Sequence, residues 1–259
     1  MELPVYSISK PFLAQAVLQL GLPLDGRIGE FVPNLASTYA GRTIGALLNH
    51  TSGLDDYSQL PDYAAAVANR ERAWSRAELL ERSLVLSHTN QGFRYSNIGY
   101  LLLRMAVEQV TGLSYFDSLQ QLVFDPLEIT GHLEWEEPTD AVPDYDPKWV
   151  YSGTFLEGDA NVAESFGLLV EWRQATIGLE TGLVTVPYPN TGFDDPAYGL
   201  GFMNDGNPVR LVGHGGGGPG WGLMVLMNAA TGEVAFEAGI EEVWNQTEAI
   251  GRLRTELGA

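Results

Sequence analysis

After residue 195 the chain breaks into short runs of strand-forming residues, Tyr198 to Met203, Val209 to Val212, Leu223 to Asn228 and Val234 to Ala238. Asn-Asp-Gly, Gly-rich and Ala-Ala-Thr-Gly turns separate them, so they read as antiparallel strands. Upstream the texture is helical. Phe12, Leu13, Ala16, Val17 and Leu20 recur at helical spacing and Gly21 closes the segment. Further helices are expected over Thr43 to Asn49, Arg76 to Leu86, Asn97 to Val110 and Phe116 to Phe124, and again over Glu241 to Leu257. Residues 134–196 carry Pro, Gly and Asp without a period and read mostly as loop. The expected class is α+β, an antiparallel β-sheet flanked by helices in a single domain spanning 1–259. Its mainly helical region, about 22–196, is inserted between the first helix and the sheet at 197–240, and a C-terminal helix covers 241–257.

Composition removes whole classes of function. With 33 acidic residues against 14 basic ones the formal charge is −19, which disfavours nucleic acid and anionic membrane surfaces as partners. The absence of cysteine removes disulfides, thiolate metal sites and cysteine nucleophiles. No apolar run approaches a membrane span, and Met1-Glu2-Leu3-Pro4 lacks the features of a signal peptide, so the chain as given reads as soluble and cytoplasmic. Only Lys10 and Lys148 are lysines. Where lysine is that rare, each marks a position at which a deprotonatable amine can matter and a guanidinium cannot substitute.

Ser7-Ile8-Ser9-Lys10 is an S-x-x-K at the start of the first helix. Positions three apart share a helix face, so the amine can lie beside the hydroxyl, while the helix N-terminus offers N–H groups to a developing oxyanion. A serine needs a base to become a nucleophile, and a desolvated lysine can supply it. Random placement of thirteen serines and two lysines gives roughly 0.1 such matches. The bland reading is an N-cap serine followed by a solvated lysine.

Tyr95-Ser96-Asn97 is a Y-x-N at a loop-to-helix junction. A phenol beside a lysine can handle protons and the amide can orient a carbonyl. A second match, Tyr188-Pro189-Asn190, lies in a Pro-rich loop, and packing under the helix is the competing role for Tyr95. His214 opens the run Gly215 to Gly218. A dinucleotide loop would need a helix after it and an α/β-hydrolase loop would need a G-x-S-x-G elbow, and neither is present. What remains is an edge strand whose bare backbone lets a substrate lie alongside, or a glycine-rich hairpin loop. His50, in its Asn-His-Thr-Ser-Gly turn, reads as packing, and His88 and His132 as loop residues. The acidic cluster Glu134, Glu136, Glu137 and Asp140 reads as a solvated loop. No metal is expected.

The order S-x-x-K, Y-x-N and H-x-G resembles the serine β-lactamase and penicillin-binding family, on the branch of class C β-lactamases, D-alanyl-D-alanine carboxypeptidases and related esterases. Leu47-Leu48-Asn49-His50-Thr51-Ser52-Gly53-Leu54, Phe93-Arg94-Tyr95-Ser96-Asn97-Ile98-Gly99-Tyr100 and Tyr198-Gly199-Leu200-Gly201-Phe202 strengthen it. The resemblance implies a β-lactamase/transpeptidase-like fold and a cofactor-free acyl-enzyme cycle on a small-molecule acyl substrate. It implies Ser7 as nucleophile, Lys10 and Tyr95 as the proton-handling pair, and Asn97, His214, Gly216 and Gly217 at the substrate. Backbone N–H groups of Ser7 and Gly217 would form the oxyanion hole.

Two departures from the family pattern shape the expectation. The usual K-T-G is His214-Gly215-Gly216 here, and a neutral histidine holds an anion less firmly. The expected activity is therefore that of a hydrolase of esters or D-amino-acid peptides. A β-lactamase, a carboxypeptidase and a catalytically silent binding protein are the alternatives. Relatives also carry strands ahead of S-x-x-K that complete the sheet, and are often exported. Without those strands Val234 to Ala238 becomes a bare edge, to be covered by a second copy of the chain or by the helix 241–257, or else marks a truncated product with impaired activity.

Overall fold

The structure, a computed structural model, describes residues 2–88, 92–129, 132–133, 146–187, 191–240 and 243–259. The acidic cluster around Glu134 to Asp140 and the second Y-x-N at Tyr188 lie outside the described residues. Strand β1 (Glu2–Pro4) runs through a 3-10 turn at Tyr6–Ile8 into helix α1 (Ser9–Gln19). Then follow α2 (Ser37–Ala40), α3 (Ile44–Leu48), α4 (Tyr63–Ala68), α5 (Arg76–Ser83), α6 (Asn97–Thr111), α7 (Tyr115–Leu119) and strand β2 (His132–Leu133). Strand β3 (Leu156–Gly158) leads into α8 (Asp159–Thr176). The last third holds β4 (Val184–Thr185), β5 (Pro196–Tyr198), β6 (Met203–Asp205), β7 (Leu211–Gly218), β8 (Trp221–Asn228), β9 (Val234–Ile240) and α9 (Gln246–Glu256).

Strands β4 to β9 form one antiparallel sheet in sequence order, as short connections require, and β1, β3 and β2 form a smaller one. The α+β expectation holds. Helix α1 lies at the centre of the molecule: Phe12, Leu13, Ala16 and Val17 are at most 1% exposed, and Phe12 packs its ring against Phe124 and Phe155. That burial carries Lys10 inward with it. Gly201, at φ +94°, lets the β5–β6 turn close on α1, since a β-carbon there would stand 2.6 Å from that of Ala14.

Three expectations need correction. The stretch read as loop contains α8, eighteen residues long. Its buried residues include Val162, Phe166, Leu169, Val170 and even Arg173, and a helix covered on several sides leaves no single apolar stripe to detect. Tyr198 to Met203 is a hairpin rather than a strand, for Tyr198 pairs with Met203 across a turn containing Gly199 and Gly201. The helix expected over Phe116 to Phe124 divides into α7 and a π-turn at Gln120–Phe124.

At the far side of the sheet β9 pairs with β8 from Met227↔Val234 to Trp221↔Ile240 and ends the strand order. Helix α9 packs across the sheet face, where Ala249, Ile250 and Leu253 meet Met224, Leu226 and Ala235. Among the described residues no helix is long and apolar enough to cross a membrane.

Candidate active site

Ser7 stands in the tight turn between β1 and α1, held from below by Val5, whose N–H bonds to Phe155 O at 2.9 Å. Tyr6 adopts φ +45° to make that turn and ties its hydroxyl to Pro219 O at 2.7 Å. One helical turn on, Lys10 is fully buried. Its Nζ lies 2.9 Å from Ser7 Oγ and 3.5 Å from Ser152 Oγ, beneath the rings of Tyr95 and Tyr100. Burial disfavours the ammonium and pulls the Lys10 pKa down to about 7, against the opposing charge of Asp56. An amine so placed is half neutral at neutral pH, and its lone pair then faces the serine hydroxyl.

Tyr95 hydrogen-bonds Ser7 from the other side. Burial pushes its phenol far up, so the resting group is a neutral O–H and not a phenolate. The loop carrying it is fixed by the His50 turn: Arg94 N donates to His50 O, Ser96 N donates to His50 Nδ1 at 3.1 Å, and Ser96 caps α6 through Gly99 N. His50 itself is a packing residue, at φ +58°, with its ring centroid 4.2 Å from that of Tyr95 and 4.7 Å, edge to face, from that of Tyr198, and burial holds its pKa well below the ordinary value. Asn97 opens α6, its N–H donating to the buried Asp56 carboxylate, which also accepts from Ser58 N.

Ser7, Asn97, Ser152 and Gly217 line one cavity of about 200 Å³, walled by Tyr6, Tyr57, Tyr63 and Trp149. Side chains alternate along a strand. Gly216 and Gly218 therefore turn toward the Ser7 turn, where a β-carbon on Gly216 would meet Val5 O at 2.5 Å, whereas Gly217 faces open space. His214 shares the inward face. It is fully buried, with Nε2 2.9 Å from the Tyr198 hydroxyl and Nδ1 2.6 Å from Gly215 O, and desolvation lowers its pKa to about 3. Donation from Nδ1 to that carbonyl leaves Nε2 to accept from Tyr198. The structure thus gathers Ser7, Lys10, Tyr95, Asn97 and Gly217, and sets His214 and Gly216 behind the cavity wall instead of on it. Gly216 there permits close packing of β7 on the turn, and His214 braces Tyr198.

Ser152, Asp56 and the aromatic walls were not found from the sequence. Ser152 lies 142 residues from Lys10 in a stretch without a motif. Asp56 comes three residues after Gly53 of the Thr51-Ser52-Gly53 turn and looks like any turn acid.

Comparison with known proteins gives the same frame. The β-lactamase family model matches residues 3–237. Penicillin-binding protein 4* of Bacillus subtilis is 26% identical over 85% of this chain and 56% of its own length. A D-aminopeptidase of Brucella anthropi is 28% identical over 85% of this chain and 46% of its own. The chain spans about half the length of these relatives. Among solved structures, a D-stereospecific amidohydrolase from Streptomyces superposes with a TM-score of 0.81 at 22% identity, covering 100% of this chain and 87% of that one. An octameric penicillin-binding protein homologue from Pyrococcus abyssi gives 0.74 at 21% identity, over 100% of this chain and 66% of that one. With the S-x-x-K, the Y-x-N and the glycine-lined strand meeting at one cavity, and the family model spanning residues 3–237, the chain belongs to the β-lactamase family.

Proposed function

We propose that the protein is a serine hydrolase that forms an acyl-enzyme on Ser7 and acts on esters or on amides of D-amino acids. The observation that carries this reading is the 2.9 Å contact between Ser7 Oγ and a buried amine whose pKa is near 7. Neutral Lys10 takes the Ser7 proton as Oγ attacks the acyl carbon, and the N–H groups of Ser7 and Gly217 receive the oxyanion. Tyr95 gives its O–H proton to the departing atom and is resupplied by the Lys10 ammonium, so the serine proton ends on the leaving group. Water then attacks the ester by the reverse route. Asn97 orients the acyl portion.

The described residues lining the cavity include no lysine or arginine, and His214 is neutral and buried behind it. That favours amide and ester substrates over penicillins and D-Ala-D-Ala, whose free carboxylate needs a cation. The names of the Brucella and Streptomyces relatives favour D-configured acyl groups. Incubation with D-alanine p-nitroanilide, D-phenylalanine amide and a p-nitrophenyl ester, beside nitrocefin, is expected to give turnover of the first group that Ser7→Ala abolishes. Nitrocefin turnover alone would replace this reading with a β-lactamase. Absence of any Ser7 adduct with a fluorophosphonate would leave a silent binding protein.

A second reading concerns assembly. Strand β9 ends the sheet, and its last residue Ile240 and Val243 after it are 56% and 82% exposed. We infer that a second copy pairs along Val234–Ala238, as unpaired edges invite. Size-exclusion chromatography of wild type and Ala238→Pro decides it: a wild-type monomer at micromolar concentration overturns this reading.

A further inference from the structure

Strand β7 is paired on both sides only as far as Gly213, opposite Met203 of β6, whereas its pairing with β8 continues to Gly218 opposite Trp221. Among the described residues, 214–218 therefore keep one ladder side without a strand partner. Ser7 lines one cavity near this segment, and Tyr95, hydrogen-bonded to it, lines another. The smaller is the one shared by Ser7, Asn97 and Gly217. The other, about 470 Å³, is walled by Phe93, Tyr95, Phe193, Tyr198 and Met203, with Gln246 at its edge beside Gly215.

Tyr95 joins the two: its hydroxyl bonds Ser7 and its side chain lines the larger cavity. A proton donor must lie within hydrogen-bond reach of the atom it protonates. If Ser7 is the acylated residue, as proposed above, the departing atom must leave on the Tyr95 side, and the acyl group remains with Asn97 in the smaller cavity. The larger cavity then receives whatever departs. Its described lining residues are aliphatic, aromatic or neutral amide and hydroxyl groups, with no Asp, Glu, Lys or Arg among them. The strand position that could offer a cation to this side holds His214, fully buried and bonded to Tyr198. A carboxylate departing there would be desolvated without a partner, whereas an aryl or branched alkyl group would exchange water for Phe93, Phe193 and Met203.

We infer that the larger cavity is the leaving-group site and that it selects uncharged, apolar alcohols or amines. In the ester case the bond from Ser7 Oγ to the acyl carbon forms, the bond from that carbon to the leaving oxygen breaks, and the Tyr95 proton moves to that oxygen.

The test compares 4-isopropylphenyl acetate with 4-carboxyphenyl acetate, each kcat/KM divided by the rate of hydrolysis by hydroxide. The isopropyl ester is expected to be favoured by at least about tenfold, and Ala197→Arg, which places a cation in the cavity wall, to shrink or reverse that ratio. Equal or inverted preference in the wild type overturns the inference. A measurement without turnover runs beside it: 4-isopropylphenol should slow fluorophosphonate labelling of Ser7 at lower concentration than 4-hydroxybenzoate does. Labelling of Ser7 with no such difference sinks the leaving-group site alone. Failure to label, or turnover that survives Ser7→Ala, sinks the underlying reading with it.

Discussion

Helix α1 touches two buried cations, and they have opposite fates. At its first turn Lys10 meets two hydroxyls and two tyrosine rings, and burial lowers its pKa to about 7 against the more distant Asp56 charge. Near its middle Gln15 accepts at 3.0 Å from Arg173 of α8, whose guanidinium also donates to Leu200 O at 2.8 Å and lies over Phe202. Burial lowers the Arg173 pKa as well, but only to about 10, so it stays charged at neutral pH. A buried cation given amide and carbonyl oxygens keeps its proton and ties two elements together. One given hydroxyls can release it. The environment, together with the choice of amine over guanidinium, separates a brace from a base.

Exchanging the two side-chain types is the most severe way to break that contrast. Lys10→Arg keeps a positive charge and removes the capacity to lose it, so Ser7 acylation should fall by about 10² to 10⁴-fold, measured as the rate of fluorophosphonate labelling. A rate within a few-fold of wild type would remove Lys10 as the base. Arg173→Lys loses the planar fork that spans Gln15 and Leu200 and should cost about 2–4 kcal/mol in urea unfolding, while Ser7 labelling at 25 °C stays near wild type. A variant that is stable yet unreactive would show that Arg173 belongs to the chemistry.

The sequence showed Lys10 more readily than Arg173. Ser7 and Lys10 are three positions apart, so one local pattern contains both, and Tyr95 with Asn97 flanks a helix start that Ser96 announces as a cap. Arg173 and Ser152 escaped because both lie in the 134–196 stretch and meet their partners across 158 and 142 residues. No spacing rule reaches that far. The same burial that hides the period of α8 makes Arg173 useful. His214 reads from the sequence as lying at the substrate, whereas the structure buries it against Tyr198; a glycine run offers no alternating side chains from which to read which face is inward.

The contrast sharpens with a third buried ion. Glu157 of β3 is 1% exposed, accepts from Ser165 Oγ, and burial raises its pKa to about 7 from the ordinary 4.5. Between pH 4.5 and 7 the folded chain retains a proton that the unfolded chain has lost, so this carboxyl makes stability fall as pH rises through that window and adds nothing further above it. Lys10 acts in the opposite sense above pH 7, where the unfolded chain still holds a proton that the folded one has released. Glu157→Gln should therefore match wild type near pH 4 and gain relative to it up to pH 7, by at most about 3 kcal/mol. Lys10→Met should diverge only at and above pH 7, and unfolding curves for either variant that stay parallel to wild type across pH would contradict these assignments.

The smallest effect tests the weaker of the two hydroxyls on Lys10. At 3.5 Å the Ser152 contact is long, so Ser152→Ala should remove about 1 kcal/mol of support for the ammonium and slow acylation only about fivefold. It should also move the acid limb of the labelling rate to lower pH, because losing an acceptor disfavours the protonated amine. Ser7→Ala cannot be used for this, since it removes the labelled atom. A slower rate with the acid limb unmoved would mean that Ser152 shapes the cavity wall without holding the amine, and the low pKa of Lys10 would then be set by desolvation against the Asp56 charge alone.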